Sequence, residues 1–262
     1  MPGLAISQAA VGKLLTLVPV VFRLLAFFYF DPLLGGQRVP AQVKIGLSFM
    51  LAYIILPHVR GGIPADADVW TLGACIAGEV LVGALMGYMV KLVFTGIEMA
   101  GHLSGLQMGF GMASVLDQSQ EAQVSIIGQF YEMLALMIYL AINGHHVLIR
   151  ALVKSFEVVP VMGLHGLSAG FPEFIIRQSA RMFVLMVIIA APGVVAVFLM
   201  NAGIGIMART FPQMNIFVIG FPITILAGLA VTASAMPFFG DVFARAFSMG
   251  WTAIEGVLSF MN

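Results

Sequence analysis

Of the 262 residues, 61% are apolar and only 9% are charged, and the mean hydropathy is +1.05. A soluble domain carries about 25% charge because its surface must face water, so lipid or partner protein has to cover most of this chain. Lys plus Arg equals Asp plus Glu, giving a formal net charge of zero and leaving no basic face to gather nucleic acid.

Along the chain, residues 1–10 carry no positive charge, while Lys13 and Arg23 fall inside the apolar stretch. The charged-then-apolar order of a cleavable signal is missing, so the first hydrophobic segment is expected to be retained. Crossing a hydrocarbon core takes about 20 apolar residues. Candidate spans are 14–30, 43–56, 72–94, 124–142, 182–200, 215–235 and 243–260. The stretches between Arg181 and Arg209 and between Arg209 and Asp241 carry no formal charge and are the strongest transmembrane signals. Pro19, Pro192 with Gly193, and Pro222 lie inside apolar segments. Each removes a backbone hydrogen bond that hydrocarbon cannot replace, which predicts kinked or broken helices packed against protein. Loops are marked at Asp31-Pro32 through Gly36, at Arg60-Gly61-Gly62-Ile63-Pro64 with Asp66 and Asp68, and at 163–172. Lys and Arg are spread over several loops, so no orientation follows from the positive-inside rule.

Glu79, Gly83, Gly87 and Lys91 fall four apart, and on a helix they form one stripe along which another helix can approach closely. An intramembrane charge costs about 2.5–3.5 kcal/mol, so this face is expected to point into protein. It can serve as an ion or proton pathway or as an assembly interface with neutralised charges; the glycine spacing favours packing. A second stripe, Glu98, Gly101, His102, Gly105 and Gly109, runs into Gln107-Met108-Gly109-Phe110-Gly111-Met112-Ala113-Ser114, a poor helix by composition. The latter lacks the Lys-Ser/Thr context of a phosphate-cradling loop. Asn143-Gly144-His145-His146 closes an apolar run at an expected helix end. Neighbouring histidines point to different helix faces and make a poor metal pair; the single Cys75 reads as a small buried hydrophobe. No Gly-x-Ser-x-Gly, His-Glu-x-x-His or Cys-x-x-Cys occurs, so the common hydrolase, zincin and redox signals are absent.

From Gln107 to Val161 the pattern becomes specific: QMGFGMASVLD, then an apolar helix with Gln129-Phe130, then YLAINGHHVLIRALVKSFEVVP. This region resembles the flagellar FliR family, called SctT in injectisomes. Ala113-x-x-x-Asp117, Asn143-Gly144-His145 before a basic turn, and Ser155-Phe156-x-x-x-Pro160 are selective together; the family's usual Pro after Asp117 is Gln118 here. The resemblance implies an all-α membrane protein of kinked hydrophobic helices and helical hairpins. A FliP-like part, about 1–165, would be followed by a FliQ-like hairpin, about 166–262. It implies a noncatalytic subunit without cofactor or metal, joined to FliP-like and FliQ-like subunits with an FlhB-like subunit alongside. Together they would form the inner-membrane gate through which unfolded export substrates pass at the flagellar basal body. The family's pore-plugging loop corresponds to Gly109, Phe110, Gly111, Met112, Ala113 and Ser114. Independently of the resemblance, the stripe Glu79, Gly83, Gly87, Lys91, Glu98, Gly101 and Gly105 is expected to be an assembly interface on its glycine spacing. The rival reading is a stand-alone secondary transporter with a midplane site at broken helices near Pro192 and Pro222.

Overall fold

The computed structural model describes residues 2–36, 39–59, 61–64, 68–110, 125–163, 166, 168–210 and 216–261. Their regular structure is α-helical apart from one 3-10 turn, Leu56–His58, and no strand occurs among them. The helices are α1 (Pro2–Phe30), α2 (Ala41–Ile55), α3 (Val69–Met108), α4 (Ile126–Ala141), α5 (Gly144–Val158), α6 (Phe171–Thr210) and α7 (Ile216–Met261). Among the described residues, Ala41–His58, Val69–Met108, Phe171–Thr210 and Gly220–Met261 are long and apolar enough to cross a membrane. A fifth crossing is available if α4 and α5, bent by 70° at their junction, act as one.

Helix lengths depart from the expected spans. The segments 215–235 and 243–260 belong to one 46-residue helix, and 72–94 is part of a 40-residue helix. Pro19, Pro192 and Pro222, expected to kink or break helices, lie inside α1, α6 and α7, which run on past them. A proline withdraws one hydrogen bond and crowds the preceding turn. At 1.5 Å per residue, α3 and α6 each reach about 60 Å, twice the ~30 Å hydrocarbon core.

Local signals explain the ends. Asp31 Oδ1 accepts from the Leu33 and Leu34 N–H groups at 2.8 and 2.9 Å, a turn that halts α1. Burial pushes the Asp31 carboxyl up; these N–H groups and nearby His145 pull it back. Ser125 caps α4, its Oγ accepting from Gly128 N–H at 3.1 Å. The bend into α5 falls on Asn143, in the left-handed region at φ 57°, a conformation Asn tolerates.

The chain forms two compact units that do not follow sequence order. The first takes residues 1–92, 143–178 and 247–262. Its core joins Val20, Leu24 and Phe27 of α1, Met86 of α3, Leu148, Leu152 and Phe156 of α5, and Ile254 and Val257 of α7. On α5 the buried positions Leu148, Ala151, Leu152, Ser155 and Phe156 recur at three- and four-residue steps, the mark of a helix with one inward face. The second unit, residues 93–142 and 179–246, buries Ile97, Ala100, Tyr139, Val197 and Phe243, with the Phe94 ring edge-on to Tyr139 and Phe243. In the most apolar stretch of α3, 61% of residues are buried by the chain itself, against 17% for α6. Phe183, Val187, Val195, Phe198 and Leu199 on α6 are left exposed and need lipid or another subunit to cover them.

Candidate functional site: a buried ion pair and a glycine-capped loop

In the first unit the charged stripe of α3 finds its partner on α1. Arg23 is fully buried and donates from Nε to Glu79, 56 residues away. Its Nη1 donates to Ser155 Oγ at 3.1 Å and its Nη2 to the Val159 carbonyl at 2.9 Å. The guanidinium also lies 4.1 Å from the centre of the Phe156 ring. Ser155 Oγ in turn donates a hydrogen bond to the Leu152 carbonyl at 2.7 Å. One arginine thus ties α1, α3 and α5 together, with charge neutralised and donors occupied, which fits a lock rather than a proton carrier.

The glycines of the stripe make that contact possible. A Cβ on Gly83 would stand 2.2 Å from the Arg23 carbonyl oxygen, and one on Gly87 2.8 Å from the Phe27 carbonyl oxygen. The helix these residues admit is the chain's own α1. Lys91, next along, is exposed with its ammonium 5.6 Å from the Phe30 ring, and Glu98 is exposed too. Gly83→Ala is expected to cost at least about 3 kcal/mol, because a backbone oxygen cannot step aside as a side chain can. Gly73→Ala on the same helix meets nothing within 4 Å and should leave the amount of protein in membranes unchanged, whereas Gly83→Ala should deplete it; equal amounts would count against the packing argument.

In the second unit the other glycines serve the same purpose against α4. A Cβ on Gly101 would stand 2.7 Å from Gly128 Cα and from the Ile127 carbonyl oxygen, and one on Gly105 2.9 Å from Ser125 Oγ. The end of α3 and the start of α4 are thereby held side by side. Between them α3 stops at Met108: Gly109, at φ +95°, donates to the Leu106 carbonyl at 3.1 Å, and Phe110 donates to the Gly105 carbonyl at 3.0 Å. That pair of bonds is a Schellman cap, whose left-handed position favours glycine. Residues 109 and 110 therefore leave the helix in a fixed direction. Gly111, Met112, Ala113 and Ser114 of the expected plug lie outside the described residues.

The cap is seated on α6 and α7. Met108 is fully buried; a Cβ on Gly228 would stand 2.6 Å from its Cγ, and one on Gly193 3.7 Å from its Cε. A Cβ on Gly109 would meet the Phe221 ring at 2.6 Å. His145 and His146 stack with ring centres 4.1 Å apart, and no group of three or more His, Cys, Asp or Glu side chains suited to a metal occurs among the described residues.

Spacing marks the Glu79-Gly83-Gly87 stripe and composition marks 107–114 as a poor helix, but neither names Arg23 as the partner of Glu79. Its only signal was a cation inside the first apolar segment, which has to find a counter-charge somewhere.

Long apolar helices, buried charge matched within the chain, and a glycine-capped helix end define a multi-pass, all-α membrane protein. Residues 14–250 match the family described as bacterial export proteins, family 1. The chain is 31% identical over 251 residues to the flagellar biosynthetic protein FliR of Bacillus subtilis (strain 168), covering 93% of this chain and 94% of that one. It is 29% identical over 241 residues to FliR of Escherichia coli (strain K12), covering 91% of each, and 27% identical over 225 residues to FliR of Aquifex aeolicus (strain VF5), covering 86% of each. The chain belongs to this family, the FliR family of bacterial export proteins.

Proposed function

We propose that the chain is a structural and gating subunit of the flagellar type III export gate. With FliP-like and FliQ-like subunits it forms an inner-membrane channel for unfolded export substrates at the flagellar basal body, with an FlhB-like subunit alongside. Residues 1–165 act as the FliP-like part and 166–262 as the FliQ-like hairpin. The observation that carries this reading is the Schellman cap at Gly109, which turns Gly109 and Phe110 out of a helix whose end is clamped by three others. Bulky apolar groups on a glycine-flanked loop can close a narrow pore to ions and yield to a polypeptide without breaking strong bonds. The exposed apolar face of α6 supplies surface for neighbouring subunits, and Lys91 and Glu98 remain free to meet them. Glu79, Gly83, Gly87, Gly101 and Gly105 support assembly from within, by fixing the helices that carry those surfaces.

Replacing residues 109–114 by a shorter polar linker should raise ion leak across membranes containing the assembled gate, measured as loss of membrane potential. Unchanged potential, with the altered subunit still recovered alongside its partners, would refute the plug. Recovery of the unaltered protein alone from native membranes would refute the channel subunit.

A further inference from the structure

Two hydroxyls in the second unit are buried without a completed hydrogen bond. Ser104 of α3 and Thr232 of α7 are 1% and 8% exposed, and neither Ser104 Oγ nor Thr232 Oγ1 completes a hydrogen bond to a protein atom. The hydroxyl of Tyr131 on α4, itself 4% exposed, lies near enough to interact with both, and its oxygen can accept as well as donate, but two contacts among three hydroxyls leave at least one of the three protons without an acceptor. Gly193 of α6 keeps their remaining side clear: a Cβ there would come within 3.4 Å of Thr232 Oγ1 and 3.8 Å of Ser104 Oγ. Immediately before it, Pro192 supplies no N–H, so the Ile188 carbonyl one turn earlier has no helical donor. Tyr131, Ile188, Pro192 and Thr232 all line one open-sided cavity.

We propose that Ser104, Tyr131 and Thr232 hold ordered water at the Pro192 break of α6. Water offers two donors and two acceptors, so it can bridge three hydroxyls that cannot all satisfy one another and leave a donor for a freed carbonyl. Proline inside a membrane helix is tolerated where hydroxyl side chains and ordered water repair the broken ladder. An ion fits less well: the cavity has no carboxylate in its lining, and Ile189, Phe239 and Val242 form its walls, so a cation there would have no counter-charge. The site explains how α6 runs through Pro192 without ending, and why two buried hydroxyls stand opposite a glycine.

Brief radiolytic hydroxyl-radical labelling of the protein, purified in detergent with whatever subunits accompany it, tests the proposal, because bound water generates radicals beside the residues that hold it. Tyr131 should be labelled several-fold faster than Phe243, an aromatic residue of the same unit that is 0% exposed. Thr232→Val should bring Tyr131 down to the rate of Phe243, and Thr232→Ser, which keeps the hydroxyl, should not. Equal labelling of Tyr131 and Phe243 in the unaltered protein overturns the proposal even if the valine variant fails to fold. Labelling of Tyr131 unchanged by Thr232→Val overturns it too, since the radicals would then come from bulk solvent.

Discussion

Glu79→Leu is expected to abolish accumulation of the protein and with it swimming, Arg23→Met to reduce both, and the two together to restore most of what is lost. Removing Glu79 strands a guanidinium that is 0% exposed and cannot shed its proton. Removing Arg23 strands a carboxylate that can become neutral by taking one up, so that loss should be smaller. Breaking one side of a buried pair costs about 3–5 kcal/mol, whereas replacing both members by apolar groups of similar volume is often nearly neutral. Against a folding stability of about 5–15 kcal/mol, the first is most of the margin. The double variant still forfeits the bonds to Ser155 and Val159, so recovery should be incomplete. Immunoblots of membranes and the diameter of swimming halos in soft agar read the series. A double variant no better than Glu79→Leu would show that the pair does more than neutralise itself.

The parts of this site legible in the sequence were those set by local periodicity. Glu79, Gly83 and Gly87 at four-residue steps announce a face that must meet protein, and the crowd of glycines after Leu106 announces a helix stop, found at Met108. Arg23 was not legible as the partner, because a contact spanning 56 residues leaves no trace in spacing. Nor could spacing show that the helix received by the glycines is α1 of the same chain, since close approach within a subunit and between subunits requires the same residues. Whether a proline kinks its helix or ends it is not legible for a related reason. Its local cost is real, but helix continuation depends on what surrounds the freed carbonyl, and around Pro192 that includes Thr232 and Tyr131, far away in the chain. The bend at Asn143-Gly144 needed no distant partner and was legible.

If the chain gates as proposed, Gly228→Val is expected to make the assembled gate leak to ions, and adding Met108→Ala is expected to seal it again. A Cβ at 228 would already lie 2.6 Å from Met108 Cγ, 2.9 Å from its Cε and 3.0 Å from its Sδ. Met108 is the last residue of α3 and is followed at once by the Gly109 cap. Methionine is flexible enough to leave such a socket, but with 0% exposure its only way out is to carry the helix end along. The displacement would act on Gly109 N–H and Phe110 N–H, whose bonds to Leu106 and Gly105 fix the end of α3. Truncating Met108 to alanine frees the volume that valine requires, a roughly volume-conserving exchange of the kind cores tolerate at less than about 1.5 kcal/mol. Membrane potential in cells carrying each variant reads the leak, and recovery of the subunit with its partners shows whether the gate still assembles. An assembled Gly228→Val gate that holds its potential would mean that the seat of Met108 does not control the loop. A leak that persists in the double variant would mean that Gly228 acts by some route other than crowding this side chain.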